Sequence, residues 1–281
     1  MKRVLTVQDI SCLGKCSLTV ALPVISAMGV ETVILPTAVL STHTLFPGFT
    51  YKDLSDQIEP ITAHWQAQGA GFDAIYTGYL GTVTQIEQMK DLFRTFRTPD
   101  NLIFIDPVMA DNGKLYANFD EAYVRANAGL CAQADIIVPN ITEACLMTET
   151  EYRTEYDKTY IDTLLHRLAL LGAKTVVLTG VSFSEGKTGV AGLDTSSGET
   201  TVYQNDLVNA SYHGTGDLFS SVCVGAMMRG RTWPQAMQLA ADYVALTIRA
   251  TLEDPKKPWY GVNFEETLPV LMEMLKEETK A

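Results

Sequence analysis

The segment Asn209-Ala210-Ser211-Tyr212-His213-Gly214-Thr215-Gly216-Asp217 opens directly onto the apolar run Leu218-Phe219-Ser220-Ser221-Val222. Two glycines one residue apart at the entry to a helix let the chain turn sharply and leave successive backbone N–H groups bare. Such donors, together with the helix dipole, attract anionic oxygens. Asp217 falls in the first turn, beside that anion site. A carboxylate there can take the proton of an attacking hydroxyl while those N–H groups hold a transferring phosphoryl group. Without its longer context, Asp217 would read simply as a favourable first-turn acid. The segment is not a Walker A loop, because no Gly-Lys-Ser/Thr follows. It is not a dinucleotide fingerprint either, because it lies far from the first strand.

Other segments add acids and polar groups of the same kind. Ile105-Asp106-Pro107-Val108-Met109-Ala110-Asp111 leaves a strand at its carboxyl end, where open α/β sheets bind ligands. Asp106 and Asp111 in one loop suit Mg2+, which takes one or two carboxylates plus phosphate oxygens and water. Each of these acids alone reads equally as a turn residue. Pro139-Asn140-Ile141-Thr142-Glu143 again follows a strand. Asn140 with Glu143 three residues on is fully explained as a helix capping pair. The functional alternative is that Glu143 organises metal-bound water. Thr179-Gly180 ends a further strand, and the Thr179 hydroxyl could bond a phosphate oxygen or serve only a turn.

The elements that must position these residues follow from periodicity. Short apolar runs at Arg3 to Gln8, Thr32 to Pro36, Asp73 to Thr77, Leu102 to Ile105, Asp135 to Val138 and Thr175 to Thr179 read as buried strands. A short turn is expected after Gln8. Between the strands lie helical patterns at Cys16 to Met28, Asp53 to Gln68, Thr84 to Phe96, Phe119 to Leu130, Asn140 to Thr148 and Asp157 to Leu171. This alternation predicts a mostly parallel sheet covered by helices on both faces. Gly189 to Leu193 and Thr200 to Leu207 flank a Ser-Ser-Gly turn and predict an antiparallel hairpin at one edge. Helices are expected over Gly214 to Met228, Pro234 to Thr251 and Phe264 to Lys276. With no linker, repeat or low-complexity stretch, residues 1–281 read as a single α/β domain. The loop around Asp254 to Trp259 reads as a solvated connection.

Composition narrows the class. The 281 residues are 47% hydrophobic and 19% charged, with a net charge of −12. An acidic surface argues against nucleic acid, whose non-specific binding depends on Lys and Arg. The 5 cysteines are scattered and odd in number, unlike a disulfide framework. Cys12 and Cys16 have no matching second pair, so packing explains them better than a metal. No run reaches the roughly 18 apolar residues of a membrane span, and the start lacks a signal-like apolar stretch. A cytoplasmic protein is expected.

In order along the chain, Val7-Gln8, Ser41-Thr42-His43-Thr44, Tyr76-Thr77-Gly78-Tyr79, Asp106-Pro107-Val108-Met109, Asp135 to Asn140 with Glu143, Leu178-Thr179-Gly180 and Gly214 to Asp217 resemble the ribokinase superfamily, and within it the pyridoxal (vitamin B6) kinase branch. The resemblance runs over nearly the whole chain. It implies a three-layer αβα sandwich, a homodimer, ATP with Mg2+ as phosphoryl donor, and a B6 vitamer as acceptor. It also implies Asp217 as base and the Gly214, Thr215 and Gly216 amides as anion hole. Asp106, Asp111 and Glu143 would lie in the metal environment, Asn140 and Thr179 near the ATP phosphates, and His43, Thr44 and Tyr79 around the pyridine ring. Tyr79 can stack on a flat ring, and His43 and Thr44 can hydrogen-bond its substituents.

Two residues depart from the pattern. Asp9 stands where pyridoxal kinases commonly have Ser. A carboxylate there would favour a cationic substrate, or would only cap a turn. Val138 stands where some relatives have Thr near a monovalent cation, which leaves K+ dependence open. A hydroxymethylpyrimidine kinase of the same superfamily is the nearest alternative; those enzymes often carry Cys at the position of Asp217. A binding protein on the same fold, without catalysis, is a further alternative.

Overall fold

The computed structural model describes residues 1–277. The chain opens with β1 (Arg3–Leu13), α1 (Leu18–Ala27), β2 (Glu31–Thr42), β3 (Tyr51–Asp53) and α2 (Ser55–Ala67). It continues through β4 (Ala74–Thr77), α3 (Val83–Phe96), β5 (Leu102–Ile105) and a small hairpin, β6 (Ala110–Asp111) and β7 (Lys114–Leu115). Then come α4 (Glu121–Cys131), β8 (Ile136–Ile137), α5 (Ile141–Met147), α6 (Lys158–Ala169) and β9 (Thr175–Val181). The hairpin β10 (Lys187–Asp194) and β11 (Thr200–Asp206) precedes α7 (Thr215–Met228), α8 (Trp233–Glu253) and α9 (Phe264–Glu277).

One nine-stranded sheet has the order β11-β10-β9-β8-β5-β4-β1-β2-β3. The six strands from β9 to β2 in that order pair in parallel, and antiparallel strands close both edges. The expected hairpin edge is present. The opposite edge, β3, is too short to give a periodic signal in the sequence.

Successive strand residues feed opposite cores, as the pleat requires. Leu5, Val7, Ile75, Ile103, Ile105, Val176 and Leu178 face one hydrophobic core with residues of α2 to α6, such as Ile58, Ile86, Leu130 and Leu164. Val4, Tyr76, Phe104 and Val177 face the other, with Val24 of α1, Val222 of α7, Leu239 of α8 and Leu271 of α9. Fully apolar short strands therefore reflect a sheet covered on both faces, and the molecule is a three-layer αβα sandwich.

β1 and β2 run further than expected. The sequence placed a turn after Gln8 and ended the second strand at Pro36, which has no N–H to donate. In the structure the pairing shifts register between Gln8 and Ile10 and then resumes, with Ile10 opposite Val39 and Leu13 opposite Thr42. The irregularity absorbs Pro36 and lets both strands continue. As a result Asp9 sits in a strand and is buried, not at the tip of a turn.

Candidate active site

The parallel strands place Tyr79, Asp106 and Asn140 just beyond their carboxyl ends, with Thr179 two residues before the end of β9 and Asp9 in the second half of β1. The carboxyl ends are where open α/β sheets bind ligands. α7 brings Asp217 to the same place.

Gly214 is the N-cap of α7, with φ 83°. A Cβ there would land on the Lys15 carbonyl oxygen, so only glycine lets the loop after β1 lie against the helix entry. Gly216 is the opposite case: it is exposed, with nothing within 4 Å of where a Cβ would stand. No side chain caps α7. The Thr215 hydroxyl is turned back to the Tyr212 carbonyl at 3.1 Å. The first-turn N–H groups thus form an uncapped cradle, open at Gly216.

Asp217 lies one turn from Ser220 on α7. Burial pushes its pKa up to about 7; the Ser17 backbone opposes the rise, and the charges of Asp106 and Asp9 add to it. A carboxylate that ionises near neutral pH is suited to general base work. Ser220 donates its hydroxyl to Asp106 at 2.7 Å. Asp106 is itself pushed up to about 6 by burial, with Ser220 opposing. Tyr76, fully buried beneath them, packs edge-on to Phe104 with ring centroids 5.6 Å apart. Burial drives its phenol well up, and the charges of Asp106 and Asp217 push the same way.

Glu143 and Asn140 are committed to the backbone. Glu143 accepts the N–H of Met109 at 3.0 Å and of Asn140 at 2.8 Å. Asn140 accepts the Glu143 N–H at 3.0 Å and donates to the Ala110 carbonyl at 2.8 Å. The capping pair read from the sequence is therefore present, and it also ties α5 to the loop after β5. Burial raises the Glu143 pKa well above the carboxylate range, with the Asp106 charge adding. Asp111 is exposed at the β6–β7 turn and takes the backbone N–H and side-chain amide of Asn112 at 2.8 and 2.9 Å. Among the described residues, no three of His, Cys, Asp and Glu converge into a ready metal cage. Asp106 and Asp111, one buried and one exposed on the same loop, are nonetheless of the type that fits Mg2+, which keeps most of its ligands as water and phosphate. Thr179 turns its N–H and hydroxyl to the Pro139 carbonyl at 3.0 and 3.4 Å. This holds the ends of β8 and β9 side by side, and Gly180 beyond it has φ 71° and open space.

The residues expected around a ring form two groups. Tyr79 is partly buried, 5.7 Å from Phe119, which stacks on Tyr123 at 3.7 Å. Burial pushes the Tyr79 phenol up to about 12, with the charges of Asp9 and Tyr51 adding. His43 is buried and its Nδ1 accepts the Leu45 N–H at 3.2 Å. Its ring lies 4.4 Å from His213, 4.9 Å from Phe46 and 5.8 Å from Trp259. Burial, then the neighbouring His43, lower the His213 pKa to about 4, so this ring pair is neutral at physiological pH. Thr44 is exposed beside this group. The loop read as a plain solvated connection supplies Trp259, 61% exposed yet 4.4 Å from Phe46.

Sequence reasoning missed Ser17, Tyr76 and Ser220 as neighbours of the acids. Tyr76 lay within a quoted motif but its contact across to α7 needs the fold. Ser17 carried no signal at all.

A family model described as phosphomethylpyrimidine kinase matches residues 22–258. A Bordetella avium pyridoxine/pyridoxal/pyridoxamine kinase is 27% identical over 88% of this chain and 85% of its own. A Bacteroides thetaiotaomicron chain, described as a phosphomethylpyrimidine kinase and crystallised with pyridoxal, superposes with a TM-score of 0.91 at 38% identity, covering 96% of this chain and 95% of that one. The pyridoxal kinase of Lactobacillus plantarum superposes with a TM-score of 0.90 at 31% identity over 99% of both chains. With a glycine-bounded, uncapped helix entry, a desolvated acid in its first turn and a match over most of its length, the chain belongs to the phosphomethylpyrimidine kinase family of the ribokinase superfamily.

Proposed function

We propose that this protein is an ATP-dependent kinase that phosphorylates the 5′-hydroxymethyl group of a vitamin B6 vitamer. The observation that carries the reading is the Asp217 carboxyl, with a pKa near 7, beside the uncapped N–H groups of α7. The acceptor hydroxyl gives its proton to Asp217 as its oxygen attacks the γ-phosphorus of ATP. The Gly214, Thr215 and Gly216 amides receive the charge of the transferring phosphoryl group, and ADP leaves. Mg2+, when bound, neutralises phosphate charge; Asp106 and Asp111 would hold it, with Glu143 fixing the loop between them. Asn140 and Thr179 flank the phosphate side, and His43, Thr44 and Tyr79 the ring side.

The test is ADP release from ATP with pyridoxal, pyridoxine, pyridoxamine and hydroxymethylpyrimidine, each with and without K+. Hydroxymethylpyrimidine is the second candidate acceptor, a pyrimidine as in the family description of phosphomethylpyrimidine kinase. Preference for it would overturn the B6 reading, and no turnover with any acceptor would leave a binding protein. Asp217→Asn should lower turnover by about 10²–10⁴-fold while ATP binding survives. Parental turnover would place the base elsewhere. Asp9, whose charge reaches Tyr79, would add negative potential at the ring end of the pocket and should favour the cationic amine of pyridoxamine. Asp9→Ser should lower pyridoxamine in the ranking of vitamers; an unchanged ranking removes that role. The resemblance further supports a cytoplasmic homodimer, which the molar mass from light scattering and cell fractionation would check.

A further inference from the structure

The β6–β7 hairpin turns through Asn112 and Gly113, whose φ values are 51° and 76°. Two successive left-handed residues make the tight turn that an Asn-Gly pair favours. This turn holds both oxygens of the Asp111 carboxylate. One takes the Asn112 N–H at 2.8 Å and the other takes the Asn112 side-chain amide at 2.9 Å. The turn itself leans on α5 and the loop after it. The Gly113 N–H donates to the Thr142 hydroxyl oxygen at 2.9 Å, and Thr142 is buried. A Cβ at Gly113 would stand 2.8 Å from the Tyr152 ring, so that ring lies directly against the turn.

α5 grips the same loop on the other side of Asp111. Glu143 accepts the Met109 N–H at 3.0 Å, and Asn140 donates to the Ala110 carbonyl at 2.8 Å. The backbone of Met109, Ala110 and Gly113 is therefore tied to the side chains of Glu143, Asn140 and Thr142, and Asp111 lies between the ties. Asn140 and Glu143 are also the capping box of α5, so the helix itself sets their positions. Thr142 lies outside that box, and its hydroxyl meets the hairpin. We propose that Thr142 is a positioning residue for metal-dependent phosphoryl transfer: its hydroxyl holds the Asn112-Gly113 turn and thereby keeps the Asp111 carboxylate in place to meet Mg2+. This rests on the reading of Asp111 as a metal residue. A loop whose ligand is in place only part of the time binds its ion more weakly by that fraction, with no change in the chemistry after binding.

Two substitutions isolate the hydroxyl. Thr142→Val keeps the branched shape and removes the oxygen that accepts the Gly113 N–H; Thr142→Ser keeps that oxygen. The first readout is amide hydrogen exchange in the free protein, with neither ATP nor Mg2+ present. In Thr142→Val the Gly113 amide should exchange about fivefold to tenfold faster, the scale of one neutral hydrogen bond. The Met109 and Glu143 amides, held by the other ties, should exchange as in the parent. The second readout is the Mg2+ concentration that gives half-maximal ADP release. It should rise about fivefold to tenfold in Thr142→Val, while kcat at saturating Mg2+ and KM for the acceptor hold within about twofold. Thr142→Ser should match the parent in both readouts.

An anchor with no part in the reaction would speed exchange at Gly113 and leave the Mg2+ half-saturation at the parental value, and that outcome overturns the proposal. So would a Gly113 amide that exchanges in Thr142→Val as it does in the parent, or a Thr142→Ser variant as impaired as Thr142→Val. A fall in kcat with a rise in acceptor KM would signal a displaced α5 and would overturn it as well. Asp111→Asn, measured alongside, tests the reading beneath. If its Mg2+ half-saturation were parental, Asp111 would not be a metal residue, and the proposal would fall with that reading. If Asp111→Asn were impaired and Thr142→Val were not, the role of Thr142 alone would fail.

Discussion

Gly214 and Gly216 stand two residues apart under opposite constraints. Gly214 is left-handed and meets the Lys15 carbonyl where a Cβ would go; Gly216 faces open space. Gly214→Ala should therefore lower stability by about 1–3 kcal/mol, read as a lower urea midpoint at unchanged slope. Gly216→Ala should stay within about 0.5 kcal/mol of the parent, yet lower kcat/KM for ATP, because its methyl enters the cradle. Parental stability in Gly214→Ala would mean that the loop after β1 does not rest on the helix entry. The spacing of these glycines and Asp217 was legible in the sequence because free amides beside an acid are a local device. The position of Ser17 was not: no local rule places a serine at positive φ.

At the scale of elements, the alternation of strands and helices was legible because short all-apolar strands belong to sheets covered on both faces. The edge strand β3 and the β6–β7 hairpin were not, because two or three residues carry no period. The continuation of β2 past Pro36 depends on a register shift that pairing alone creates. α5 illustrates how one signal serves two ends. Asn140 and Glu143 form the capping box that the spacing suggested, and the same carboxylate reaches Met109 in the loop after β5. Glu143→Ala would strand the buried N–H groups of Met109 and Asn140. It should cost about 2–4 kcal/mol, from about 1–3 kcal/mol for each unsatisfied donor less what water recovers, and it should weaken the response to Mg2+ through the displaced Asp111 loop. Chemical denaturation checks the first expectation. A stability equal to the parent's would show that the carboxylate does not hold this loop.

Across the whole molecule, Asp9, Asp106, Glu143 and Asp217 gather at one end of the sheet, and burial raises the pKa of all four. Raised carboxyl values mean that folding favours the protonated forms. Their contribution to stability is fully present below the ordinary value of 3.8 for an aspartate and is lost as pH rises through about 6 for Asp106 and about 7 for Asp217. Acids with lowered pKa, such as Asp73 beside Lys2 and Asp206 beside Lys187, act in the opposite sense, but they are solvated and screened. The site that needs an ionised base near neutral pH is therefore a site that weakens the fold near neutral pH. Asp217→Asn removes that burden without changing shape. At pH 8, where the parent must hold the desolvated charge, it should stabilise the fold by on the order of a few kcal/mol, raising Tm by roughly 2–4 °C for each kcal/mol in a chain of this size. At pH 4 the two proteins should melt together, because residue 217 is then uncharged in both. Equal Tm values at pH 8 as well would mean that no desolvated charge sits at residue 217, and the physical basis for its role as base would be gone.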